Sequence, residues 1–244
     1  MKYVWLLFVL FPVIGLAGND NKKQFTVTKL ADNVYQHVSY KHVKPWGYIG
    51  ASGLIVIDGT DAHIIDSAWT TESSKSLIKW IETNGYTAKS AVFTHFHDDA
   101  SNDIALFNEL QIKTYATTLT NQLLGDNKKQ SATQEIIGDN VNLVGDKIQV
   151  FYPGAGHSQD NIVVWLPEAG ILFGGCFVKS LSNRSLGYTG DAVIEDWPQS
   201  VQNVMERFPD IKVVVPGHGR VGDTSLLLHT QKLAVDVLAA SSTK

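Results

Sequence analysis

The run Thr94-His95-Phe96-His97-Asp98-Asp99 limits this chain more than any other stretch of it. It closes a segment, Ser90 to Thr94, that reads as a strand, and on a strand end or extended loop His95 and His97 project to the same side. Two imidazoles at that spacing can meet one metal ion, while Asp99, two residues further on, reaches a neighbouring point. A chain that uses them for metal has to bring more ligands to the same place from distant strand ends. Read alone, the run could also be a polar loop with incidental histidines.

Three further segments have the same build. His157 follows Pro153-Gly154-Ala155-Gly156, His218 sits in Pro216-Gly217-His218-Gly219, and Cys176 follows Phe173-Gly174-Gly175, each after an apolar run. Glycines there permit tight turns and close backbone approach, so that the next side chain is delivered to a shared pocket. Any one of the three could be an ordinary turn; together with the first run they point to a metal site built from a ligand cluster. Cys176 is the only cysteine, which excludes an internal disulfide. An isolated cysteine is ordinarily a small buried hydrophobe, and only the company of the other segments makes it a ligand candidate. His37, His42, His63 and His229 have no partner spacing and read as surface or packing residues.

The remaining pattern predicts how those segments are carried. Alternating stretches at Phe25–Thr28, Val34–Val38, Gly53–Ile57 and His63–Ile65 predict antiparallel strands, with turns at Asp32-Asn33 and Asp58-Gly59. A helix is expected from Thr71 to Asn84, closed by Gly85, then the strand before His95, a helix over Ile104–Leu110, a strand Lys113–Ala116 and a helix Thr118–Leu124. The second half repeats the scheme: strands at Val141–Leu143, Lys147–Tyr152, Ile162–Leu166 and Ile171–Phe173, a helix Ile194–Arg207, a strand Lys212–Val215 and a terminal helix Thr224–Ala240. No linker rich in Pro, Gly or Ser separates the halves. That argues for one domain of two packed sheets with helices outside.

The N-terminus reads differently. Met1-Lys2, the apolar stretch Tyr3 to Leu16 and the following Ala17-Gly18-Asn19-Asp20 have the layout of a secretory signal, with cleavage expected after Ala17 and one domain over residues 18–244. The apolar run is broken by Pro12 and Gly15 and is marginal for spanning a bilayer, so a periplasmic protein without stable membrane association is expected. Removing residues 1–17 takes away Lys2 and no acid, moving the formal net charge from −4 to −5. An acidic chain argues against a nucleic-acid partner. A lone thiol in an oxidising compartment needs a reason, and metal ligation supplies one.

At this point the chain resembles a class B metallo-β-lactamase, of the subclass with one three-histidine zinc site and one Asp-Cys-His zinc site. The resemblance rests on His95-Phe96-His97-Asp98-Asp99, Gly154-Ala155-Gly156-His157-Ser158, Gly174 to Lys179, Gly187-Tyr188-Thr189-Gly190-Asp191 and Pro216-Gly217-His218-Gly219. It implies a four-layer αββα sandwich of two mixed sheets, with the site at the edge where the sheets meet. It also implies two Zn2+ per chain, with His95, His97 and His157 on the first and Asp99, Cys176 and His218 on the second. The implied reaction is hydrolysis of the β-lactam amide bond of penicillins, cephalosporins and carbapenems by a zinc-bound hydroxide, with a small-molecule substrate and a monomeric enzyme.

The same resemblance assigns roles around the metals. Asp99 would orient the nucleophile, Lys179 would anchor the substrate carboxylate, and Trp46, in the hairpin segment Lys41 to Ser52, would close over substrate. Asp66 either caps the following helix or lies behind the metal ligands. Two positions depart from the family pattern: Asn102-Asp103 stands where Gly-Gly is common, and Tyr188 stands where many members carry an Asn that helps hold the carbonyl oxygen. Tyr188 is expected to line the pocket as an aromatic wall. The fold also hosts glyoxalase II-like thioesterases, which place a histidine where this chain has Ala100, and an exported zinc-binding protein without catalysis is a further alternative.

Overall fold

Leu54 and Val56 point to one side of their strand and Ile55 and Ile57 to the other, and all four are buried. A strand apolar on both faces needs a layer on each side, and that requirement organises the molecule. The computed structural model describes residues 25–241. The expected signal segment, residues 1–17, lies outside them.

The first sheet has seven strands in the order β1 (Thr26–Ala31), β2 (Val34–Val43), β3 (Gly47–Asp58), β4 (Asp61–Ile65), β5 (Thr87–Val92), β6 (Lys113–Thr117) and β7 (Gln134–Ile136). Pairing is antiparallel from β1 to β4 and parallel from β4 to β7. The second sheet runs β12 (Val213–His218), β11 (Ile171–Lys179), β10 (Val163–Leu166), β9 (Ile148–Phe151) and β8 (Asn140–Leu143), with only β11 and β12 parallel.

Three apolar layers separate four structural ones. Between the sheets lie Leu54, Val56, Ile65 and Val92 from the first and Val150, Val164, Leu166, Phe173 and Val215 from the second. On the outer face of the first sheet, Ile55, Ile57 and Ile64 pack with Leu77 and Ile81 of α1 (Thr71–Thr83). Phe107 of α3 (Ile104–Glu109) and Leu124 of α4 (Thr118–Asp126) join that layer, and a one-turn α2 (Asp98–Ser101) precedes α3. On the outer face of the second sheet, Val163, Trp165 and Val214 pack with Val201 and Val204 of α5 (Trp197–Arg207) and Leu226, Leu227 and Ala234 of α6 (Ser225–Ser241). The architecture is the expected αββα sandwich of two mixed sheets.

Several elements differ from the sequence expectation, each for a local reason. The segment Lys41 to Ser52 is a continuation of β2 and β3 paired from Val43↔Gly47 inward, leaving only Lys44, Pro45 and Trp46 at the tip. β11 runs on through Cys176 to Lys179, because the glycine pair is absorbed as an irregularity in the β11–β12 register instead of ending the strand. β7 was too short and polar to be expected. Asp66 does not cap α1: Thr70 does so, its side chain accepting the Ser73 N–H at 3.2 Å. Asn102 follows α2, and buried Asp103 precedes α3 while accepting the Thr71 hydroxyl at 2.7 Å, so that turn is pinned to the start of α1.

Candidate metal centre

β5 ends at Val92, and the next five residues descend into the edge between the sheets. Phe93 and Phe96 are buried in the layer under α1 and α3, while the Thr94 carbonyl accepts the Ile162 N–H at 2.9 Å from the other sheet. His95 and His97 are therefore held on a loop fixed at both sides, and Asp99 follows in the first turn of α2. His157 arrives on the loop after β9, Cys176 from within β11, and His218 as the last residue of β12.

The glycines make this convergence possible. A Cβ at Gly217 would lie 2.6 Å from Cys176 Sγ, and one at Gly156 would lie 2.8 Å from the Phe177 ring and 2.9 Å from Trp197 Cδ1. All three distances are shorter than a Cβ tolerates, so a side chain at Gly217 would push the Cys176 sulfur aside and one at Gly156 would collide with Phe177 and Trp197 next to His157.

Two groups of three potential metal ligands result, each with its ligand atoms within 4.8 Å of one another: His95, His97 and His157, and His95, Asp99 and Cys176. His218 joins the second group more tightly than His95 does. Its Nε2 lies 2.9 Å from Asp99 Oδ2 and 3.3 Å from Cys176 Sγ, while His95 Nε2 is 3.5 Å from Asp99 Oδ1.

Hydrogen bonds outside the cluster set which nitrogen carries the proton. Asp66 accepts the Thr94 N–H at 2.7 Å and the Thr94 hydroxyl at 2.7 Å, so the hydroxyl oxygen is left to accept His95 Nδ1–H at 3.2 Å. That turns His95 Nε2 forward, buried and without a hydrogen-bond partner, 3.5 Å from Asp99 Oδ1; burial opposes charge on this ring, but Asp99 and Cys176 push its pKa well above the ordinary value. Asp191 Oδ2 accepts His97 Nε2–H at 3.0 Å, turning His97 Nδ1 toward His157 Nε2 at 3.1 Å. The Gly50 carbonyl accepts His218 Nδ1–H at 2.8 Å, turning Nε2 toward Asp99 and Cys176. In each case an oxygen acceptor behind the ring frees the forward nitrogen, the arrangement that orients metal-binding histidines.

The donor chemistry fits zinc. Burial, followed by the charge of Lys179, holds the His157 pKa well below its usual value, so that the ring is in its neutral, ligating form. Burial opposes charge on His218, yet the neighbouring Cys176 and Asp99 push its pKa well above the ordinary value. A carboxylate, a thiol and an imidazole converging within 3.3 Å call for a positive charge among them. Three imidazoles beside a set containing sulfur and oxygen match the two ligand types zinc accepts. A separate cavity of about 380 Å³, lined by Asp61, His63, Lys89, Ser90 and Lys113 among others, lies at the starting ends of β4 to β6 and contains none of these ligands.

The other residues singled out in the sequence surround the centre unevenly. Lys179 ends β11, only 7% exposed, with its ammonium 5.2 Å from the centre of the Trp197 ring. Tyr188 is 59% exposed; its ring stands edge-on to His97 at 5.7 Å and its hydroxyl donates to Asp191 Oδ2 at 3.0 Å. Trp46 is 69% exposed at the hairpin tip, not buried in the core. Sequence reasoning gave no role to Gly50, whose acceptor is backbone, or to Trp197, which reads as core. Asp191 was visible within the Gly187–Asp191 run, but nothing local linked it to His97, 94 residues away.

Comparison with known proteins agrees with this geometry. Residues 46–218 match the Metallo-beta-lactamase superfamily. The chain is 39% identical over 241 residues to a type 2 metallo-β-lactamase of Pseudomonas aeruginosa, covering 99% of this chain and 97% of that one. The crystal structure of VMB-1 is similar at 62% identity and a TM-score of 0.88, covering 88% of this chain and 99% of that one. That of the DIM-1 metallo-β-lactamase is similar at 45% identity and 0.86, covering 88% and 98%. With the fold, the ligand groups and the relatives in agreement, the chain belongs to the metallo-β-lactamase superfamily.

Proposed function

We propose that this chain hydrolyses the amide bond of β-lactam antibiotics, penicillins, cephalosporins and carbapenems, using two zinc ions per chain, and thereby confers resistance. The observation that carries the reading is the three-imidazole group standing beside Asp99, Cys176 and His218, in a chain of this family. His95, His97 and His157 hold one ion, and Asp99, Cys176 and His218 hold the other. When bound, the zinc pair supplies Lewis acidity and makes water a nucleophile at neutral pH. Asp99 Oδ1, with His95 as its neighbour at 3.5 Å, orients the attacking nucleophile; burial opposes its charge, but His218 and His95 hold its pKa well below the usual carboxylate value, so it stays ionised. Steady-state hydrolysis of one member of each antibiotic class tests the proposal; no turnover of any of them at full zinc occupancy would overturn it.

Lys179 binds the carboxylate that β-lactams carry. Its ammonium makes no ion pair or hydrogen bond among the described residues, so its charge is left for a substrate anion. Because that contact exists before and during the reaction, Lys179→Ala should raise KM about tenfold or more for carboxylate-bearing substrates while changing kcat much less. A loss confined to kcat would assign Lys179 another role.

Tyr188 acts as a wall and not as an oxyanion donor. Its one hydroxyl proton is committed to Asp191, which supports that reading. Tyr188→Phe should keep kcat within about tenfold of wild type for all three antibiotic classes, whereas loss of a dedicated oxyanion donor costs about 10²–10³. A uniform hundredfold drop would make the phenol a donor. Trp46, exposed at the hairpin tip, closes over bound substrate.

Residues 1–17 are a signal segment, and the mature chain is a periplasmic monomer forming one metallo-β-lactamase domain without stable membrane association. No helix among the described residues is long and apolar enough to cross a membrane. The thioesterase alternative is disfavoured by Ala100, buried in α2 where that chemistry uses a histidine, and by Cys176 in its place.

A further inference from the structure

Lys179 poses a physical problem: a cation only 7% exposed ordinarily pairs with a carboxylate, and this one makes no ion pair among the described residues, Asp99 and Cys176 acting on it only from beyond ion-pair distance. The group that meets it is the face of Trp197, 5.2 Å from Nζ to ring centre. Trp197 is itself fully buried and fixed on several sides. Its indole N–H donates to the Phe177 carbonyl at 3.0 Å, its ring stacks on Phe177 at 6.1 Å, and it opens α5 just before Pro198. On its other flank it packs against His157 at 6.1 Å, and Gly156 leaves no side chain to separate them.

Carboxylate and indole would hold an ammonium with different consequences. A carboxylate would neutralise Lys179 and compete with the carboxylate of a substrate. An aromatic face attracts the cation through its quadrupole and carries no net charge, so the full positive charge remains for an incoming anion. It also fixes the flexible lysine stem in advance, which lowers the ordering cost of binding.

We propose that Trp197 is a positioning residue for substrate recognition: its locked indole face seats the Lys179 ammonium, unneutralised, at the place where the substrate carboxylate binds. The proposal rests on the reading of Lys179 given above. It adds a determinant of selectivity for anionic substrates that lies in the buried layer under α5 and never touches the substrate.

The test compares a β-lactam bearing a free carboxylate with its methyl ester, as the ratio of kcat/KM values within each enzyme. The ratio cancels damage to the fold or to the metal centre, since the same molecules turn over both substrates. Wild type should prefer the acid strongly, and Lys179→Ala should lose that preference; a wild type indifferent to the ester would overturn the Lys179 reading itself. Trp197→Leu should reduce the preference about three- to tenfold, mainly through KM of the acid. Because Leu leaves space in a packed layer, a second series keeps the shape: mono-, di- and trifluorotryptophan placed at position 197 drain the ring face of charge stepwise. The acid preference should fall with each fluorine. A preference that stays flat across that series, in an enzyme where Lys179→Ala abolishes it, would overturn the role of Trp197.

Discussion

Cys176→Ser is expected to leave the three-histidine site close to its original affinity and to weaken the Asp99–His218 site by at least about a hundredfold, with hydrolysis falling in step at limiting zinc. The reasoning is electronic. Cys176 Sγ lies 3.1 Å from Asp99 Oδ2 and 3.3 Å from His218 Nε2, so its position is that of a ligand. A thiol ionises on zinc, whereas an alcohol keeps its proton and offers a weaker, harder donor. Serine is also the smallest perturbation available, which matters because Gly217 packs so closely on the sulfur. Titration with zinc should then show one tight and one weak step. Two unchanged affinities would return Cys176 to the status of a small buried hydrophobe.

How much of this was legible in the sequence varied with the range of the interaction that decides it. The layering was legible because strands followed by helices occur in both halves of the chain with no linker rich in Pro, Gly or Ser between them. The candidate ligands that the structure gathers were legible because the chemistry restricts residue types and because the glycines before His157, Cys176 and His218 mark close approach. Cys176 illustrates the limit. Sequence placed it just past a strand, but pairing with β12 carries β11 beyond it to Lys179, and that pairing is not a local property.

What stood behind the ligands was less legible still. Asp66 could be read equally as a helix cap or as a support; Thr70, four residues on, turned out to satisfy the helix and free Asp66 for Thr94. The Gly50 carbonyl supports His218 across 168 residues and has no side-chain signature at all. Tyr188 shows a milder case: its aromatic character was evident, but the destination of its hydroxyl depended on where Asp191 falls.

The central claim is that the two ligand groups hold zinc and that hydrolysis depends on it. Bound metal is folding energy as well as catalytic power, because the unfolded chain does not gather ligands from the loop after β5, the loop after β9, β11 and β12. Chelation should therefore abolish turnover of a carbapenem and lower the melting temperature in the same sample, and added zinc should restore both. Lowering of the melting temperature alone would mean that the metal is structural. The decisive measurement is elemental zinc content taken alongside kcat on one preparation, before chelation, after it and after reconstitution. Two zinc ions per chain, near-zero turnover without them and recovery as they return is the expected result; full turnover after verified removal of the metal would contradict it.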